Sequence, residues 1–95
     1  MQLTKTTSRK EVADWCSIVR QHWIKQKPSG TIFRSKDVFS WAASGVIELS
    51  PADKKPINAS GREIWRSQLS KALKRLADRR ELIHPGISHH AWKVP

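Results

Sequence analysis

Four histidines, one cysteine and eight carboxylates are the residues of this 95-residue chain that suit metal or acid–base chemistry. Their spacing does not assemble a centre. Cys16 and His22 lie far apart, and His84, His89 and His90 have no second cysteine near them, whereas structural zinc takes its ligands as closely spaced pairs. The carboxylates are scattered, and Glu11, Asp53 and Glu63 stand at expected helix starts, which favour acids. The glycines occur singly, so there is no glycine-rich phosphate loop. Cys16 falls in an apolar stripe and reads as a small buried hydrophobe rather than a nucleophile. These patterns point away from an enzyme, a metal or a cofactor. The chemistry that remains is that of cations. Eighteen Lys and Arg against eight acids give a net charge of +10 and a pI near 10.5. Such a balance favours an anionic partner, of which nucleic acid is the commonest.

The stretch from Ser60 to Ile83 must position much of that charge, since Ser60–Arg80 alone holds seven Lys or Arg and two acids. Ser60 and Glu63 have the spacing of a capping box, which predicts a helix beginning there. Trp65, Leu69, Ala72, Leu73 and Leu76 then recur as one buried helical stripe. The opposite arc carries Ser67, Ser70, Lys71, Lys74 and Arg75, with Arg62 and Arg66 flanking the first turns. A merely solvated helix face would look the same by composition. The residues after the helix separate the two readings. Leu82-Ile83-His84 reads as a short strand, Pro85-Gly86 as a turn, and Trp92 and Val94 alternate with Ala91 and Lys93 as in a half-buried strand.

A basic helix running into a β-hairpin is the C-terminal half of a winged helix. The run RSQLSKALKRLADRRELIHP, Arg66 to Pro85, resembles the recognition helix and first wing strand of winged helix-turn-helix DNA-binding domains. Those domains often read polar-x-Leu/Val-Ser-Arg/Lys-Ala-Leu-Lys-Arg-Leu, then a charged turn, then Gly-Leu-Ile. Here Arg80-Glu81 replaces the familiar Arg-Gly, which leaves open how the tight left-handed turn is made. The resemblance names the superfamily and no particular member. It implies an α+β fold, a small winged helix-turn-helix of three helices with a C-terminal β-hairpin wing. It also implies that the third helix enters the major groove of double-stranded DNA. Arg66, Ser67, Gln68, Ser70, Lys71 and Lys74 match the exposed recognition positions, with Arg62 and Arg75 beside them. Arg and Gln there suit guanine and adenine edges, and Ser and Lys suit phosphates. His89, His90 and Lys93 would line the wing.

The rest of the chain is read around this half. Residues 1–7 form a frayed arm and residues 8–95 a single domain. Ser8 and Glu11 make a second capping-box spacing, which predicts a helix to about Lys27 with the stripe Val12, Trp15, Cys16, Val19, Trp23. Pro28-Ser29-Gly30 stops it. Arg9, Lys10, Arg20, Lys25 and Lys27 are expected on its outer face. Thr31-Ile32-Phe33 is the expected short first strand. Ser35 should cap a supporting helix whose inner side is Val38, Phe39, Trp41 and Ala42, ended by Gly45. The departure is the spacing, because Val46 to Ala59 stands where a helix-turn-helix has about three or four residues. One helical turn is expected at Ser50-Pro51-Ala52-Asp53, followed by exposed loop. That insertion should project beside the recognition helix, with Lys54 and Lys55 adding phosphate contacts. Of the five tryptophans, Trp15, Trp23, Trp41 and Trp65 lie on apolar faces and are assigned to the core; Trp92 is left open between buried and exposed.

One cysteine excludes an internal disulfide and fits a reducing compartment. No apolar run reaches the roughly 20 residues of a membrane span, and the first residues lack a signal-peptide core. The expectation is a cytoplasmic protein, nucleoid-associated if prokaryotic, acting as a small transcription regulator or accessory DNA-binding factor. A winged-helix protein-interaction module and an RNA-binding module are the alternatives. Half-site symmetry usually asks for a homodimer, and no coiled-coil seam is present to make one.

Overall fold

The computed structural model describes residues 9–57, 59, 61–86 and 90–95. The expected arm of residues 1–7 lies outside them, as do Ser8, Ser60 and His89. Helix α1 spans Val12–His22, strand β1 Ile32–Arg34, helix α2 Ser35–Trp41, helix α3 Ile64–Asp78 and strand β2 Ala91–Lys93. This is a small α+β fold with the layout of a winged helix.

Glu11 is the N-cap residue of α1, and the Asp14 carboxylate accepts the Glu11 N–H at 2.8 Å. The α-helix ends at His22, and a 3₁₀ turn over Ile24–Gln26 carries the chain to the extended Lys27. Trp15, Cys16, Val19 and Trp23 are buried as the stripe predicts, and Ile18 joins them. Lys10 is a correction. Its place on an outer face does not hold: the side chain is only 2% exposed, because it is paired with the carboxylate of Asp53.

Helices α1 and α3 run in the same direction. Glu11 meets Gln68 (3.3 Å), the Cys16 thiol meets the Ala72 carbonyl (3.7 Å), and Arg20 meets Glu81. Their shared seam is the centre of the core, where Trp15 and Trp65 lie 6.0 Å apart and Leu69, Leu73 and Leu76 are fully buried. Trp23 then bridges to β1 and α2, edge-on to Phe33 at 5.5 Å and beside Trp41 at 5.3 Å. Trp92 is buried too, and its indole N–H donates to Ser35 Oγ at 2.9 Å. Four of the five tryptophans are buried and Trp41 is half-buried, so they build the core in a chain with no tyrosine and two phenylalanines.

The same bond corrects Ser35. It is the first residue of α2, not its cap; Arg34 is the N-cap, and Asp37 accepts the Arg34 N–H at 2.9 Å. After Trp41 the helix widens into a π-helical turn over Ala42–Val46, closed by Gly45 at φ 99°, a conformation that suits glycine.

Strand β2 pairs antiparallel with β1, Ile32 opposite Lys93, Phe33 opposite Trp92 and Arg34 opposite Ala91. On its other side Lys93 exchanges two hydrogen bonds with Ile83 (2.9 and 2.7 Å), so β2 lies between β1 and the first wing segment. That register sets Pro85 opposite Ala91, and proline has no N–H to extend the ladder. Among the described residues, the Ile83–Lys93 pair is what ties this segment to β2. Ala91, expected on the outer side, is buried. The left-handed turn before the wing falls on Arg80 (φ 61°), with Glu81 N–H returning to the Leu76 carbonyl at 2.8 Å in a helix-ending motif usually made by glycine. No helix among the described residues is long and apolar enough to cross a membrane.

Candidate nucleic-acid interface

The insertion organises the start of α3. Its Ser50–Lys54 stretch forms the expected single turn, with the Asp53 and Lys54 amides bonding the Ser50 carbonyl at 3.0 and 3.2 Å. Lys54, Lys55 and Pro56 are exposed, as expected, while the part before them is anchored in the core. Ile47, Ser50 and Asp53 are buried. Asp53 is its anchor, accepting from the Lys10 amide (2.7 Å), the Lys10 ammonium (2.9 Å), the Ser50 amide (2.9 Å) and the Ser50 hydroxyl (3.1 Å). The Lys10 ammonium also donates to the Glu48 carbonyl. Burial alone would raise the Asp53 pKa, but the hydrogen bonds from Lys10 and Ser50 outweigh it and hold the carboxyl below its ordinary value.

Past Asp53, the insertion runs antiparallel to the approach of α3. Ile57 N–H bonds the Arg62 carbonyl, and Pro56 faces Glu63. The expected helix start at Ser60 is corrected here, since α3 begins at Ile64 with Glu63 as N-cap residue. One oxygen of the Glu63 carboxylate accepts the Trp65 indole N–H at 2.9 Å, and Ser60, its expected partner in a capping box, lies outside the described residues. The first amides of α3 are met instead by insertion carbonyls, Ile64 N–H by Lys55 and Trp65 N–H by Asp53, both at 3.0 Å. These amides are consequently not free to hold an anion, the usual attraction of a helix N-terminus.

The solvent side of α3 differs from expectation at two residues. Gln68 is expected among the exposed base readers, but it is 7% exposed and its amide donates to Glu11 Oε2. Its helical position places it beside the Trp65–Ala72 stripe, facing α1. Arg66 is half-buried, with its guanidinium 4.7 Å from the Trp65 ring and 5.9 Å from the Phe39 ring. It therefore packs over aromatic rings on the α2 side of the helix. Ser67 and Ser70 are half-buried, while Lys71, Lys74 and Arg75 are exposed with no ion pair among the described residues. Arg62 is exposed just before the helix, Lys54 and Lys55 are exposed on the insertion, and Lys93 is exposed on the outer sheet face. His90 is exposed, and its carbonyl accepts the Ser35 amide at 2.8 Å.

Charge balance decides where an anion would settle. A groove of about 490 Å³ opens between the π-helical turn, the insertion and α3, floored by Ala42, Ile47 and Trp65. Its lining has Lys54 and Arg66 but also Glu48 and Glu63, and so is neutral overall. The outer arc of α3 has Lys71, Lys74 and Arg75 against Asp78 alone, and Arg79 continues it past the helix end. Arg79 is absent from the expected site, although it follows Lys71 and Arg75 at four-residue spacing. At the seam with α1, Arg20 grips Glu81 through Nε (2.5 Å) and a terminal nitrogen (3.0 Å). That contact lowers the Glu81 pKa and raises that of Arg20. Burial raises the Cys16 thiol, as befits a core residue.

No family model, no characterised protein and no solved structure matches this chain.

Proposed function

We propose that this chain binds double-stranded DNA by laying the outer arc of α3 in the major groove, as a cytoplasmic transcription regulator or accessory DNA-binding factor. The observation that carries the reading is the division of α3: one arc seals the core through Trp65, Leu69, Leu73 and Leu76, while the other presents Lys71, Lys74 and Arg75 exposed and unpaired among the described residues. A helix about 10–12 Å across matches a major groove about 12 Å wide. Ser67 and Ser70 are short enough to let the backbone approach base edges, and the Lys71 and Lys74 ammoniums reach to phosphates on either side.

Two features weigh against the alternatives. The deep, narrow major groove of A-form RNA does not admit a helix presented this way. Protein interfaces are depleted in Lys and Ser at their centres and rely on aromatic anchors, which the outer arc lacks. The test is a titration of duplex DNA, duplex RNA and single strands across a potassium chloride series, with the parent and a Lys71→Ala/Lys74→Ala variant. The parent should prefer duplex DNA, and the variant should remain folded and show a salt slope shallower by about two units. A folded variant that binds duplex DNA like the parent would refute the groove-entering helix and put protein interaction first.

A further inference from the structure

The outer arc does not exhaust the cations of α3. Lys71, Arg75 and Arg79 form a row at four-residue intervals that leaves the arc on the α1 side. The Arg79 N–H still bonds the Arg75 carbonyl at 3.0 Å, so helical spacing persists to the end of the row. All three side chains are exposed, and like charges at this spacing destabilise a helix. Asp78 lies beside the row at three residues from Arg75, yet it has no ion pair among the described residues. Across the seam stands Arg20, whose guanidinium fork is occupied by both oxygens of Glu81. Arg75, Arg79 and Arg20 are all near enough to pull on the Cys16 thiol between the two helices, although burial outweighs them there.

We infer that Lys71, Arg75 and Arg79, continued by Arg20, form a track for the phosphodiester backbone of one DNA strand, and that Glu81 stands in for a phosphate at Arg20 in the free protein. The inference rests on the reading of α3 as a groove-entering helix. A helix in a groove has a backbone along each flank, and the α2 flank is the neutral one, with Arg66 stacked on Phe39 and Trp65. The α1 flank holds the excess cations. Carboxylate and phosphate engage the guanidinium fork in the same bidentate way, so a phosphate arriving at the end of the row exchanges with Glu81 without leaving Arg20 bare. The row is thus under mutual repulsion in the free protein and relieved in the complex.

Two variants test this, each read by thermal melting at low salt and by binding to a short mixed-sequence duplex over a salt series. Arg75→Gln/Arg79→Gln should melt no lower than the parent, yet bind the duplex at least tenfold more weakly, with a slope shallower by about two units. Glu81→Gln should melt lower and bind the duplex several-fold more tightly at low salt. A double variant with parental affinity and slope overturns the track, and a Glu81→Gln variant that binds no more tightly overturns the stand-in role. If Lys71→Ala/Lys74→Ala weakens binding while Arg75→Gln/Arg79→Gln does not, the proposed function stands and this inference falls. A parent that binds no duplex removes both.

Discussion

Asp53→Asn isolates the buried contact on which the start of α3 depends. The amide can keep an oxygen toward the Lys10 N–H, but it turns an NH2 group toward three donors, the Lys10 ammonium and the Ser50 amide and hydroxyl. It also takes the counter-ion from an ammonium that is 2% exposed, leaving it the neutral Glu48 carbonyl as acceptor. Removing one member of a buried pair in this way costs about 3–5 kcal/mol. A chain of this length has about 5–14 kcal/mol of stability in all, so about a fifth of it or more should vanish. Urea denaturation followed by tryptophan fluorescence reads the loss directly. Amide exchange adds location, because Ile64 and Trp65, whose N–H groups bond Lys55 and Asp53, should exchange faster than Leu73. A double-mutant cycle with Lys10→Met should return a coupling of about 1–3 kcal/mol. An Asp53→Asn protein within about 0.5 kcal/mol of the parent, with unchanged exchange at Ile64 and Trp65, would refute the claim that this pair holds the insertion to the helix.

Other outcomes are set by the same packing. Leu69→Ala opens a cavity at a fully buried core site and should cost about 2–5 kcal/mol in urea denaturation. Arg66→Ala should lower stability by about 0.5–2 kcal/mol through the lost ring contacts, a drop of several degrees in melting temperature; an exposed arginine would show no such drop. Asp53 and Glu81 both have lowered pKa values in the fold, so their stabilisation is complete above the ordinary carboxylate range and is lost as pH falls through the folded values, below about 4. Melting temperature should fall over that acid window, and Asp53→Asn and Glu81→Gln should each flatten the dependence.

How far the chain can be read from its residues alone depends on the range of the interactions. The stripes of α1 and α3 are legible because burial repeats with the helical period, and Trp15, Val19, Leu69, Leu73 and Leu76 obey it. Gln68 misleads because it is polar, although its helical position already puts it beside the buried stripe. Lys10 misleads for a different reason. Its partner lies 43 residues away in an insertion whose composition resembles a loop, and local pattern does not encode such a pairing. Arg66 belongs on a flank by its spacing, but Phe39 comes from another helix, so its stacking is invisible in the sequence. The left-handed turn at Arg80 breaks the glycine preference that sequence reading relies on. At the candidate site, exposure of Lys71, Lys74 and Arg75 is legible, and the neutrality of the groove beside Arg66 is not.

The way α3 begins limits how portable it is. Its first two amides are answered by the backbone of the insertion rather than by a side chain of its own. Splicing α3 into another scaffold, or trimming Val46–Ala59 to the tight turn of an ordinary helix-turn-helix, would remove those carbonyls along with the loop. The helix would then need a Ser or Asp written in at the new N-cap, worth about 0.5–2 kcal/mol, simply to recover its first turn. The stretch that looks like a dispensable spacer is, in engineering terms, part of the helix it precedes.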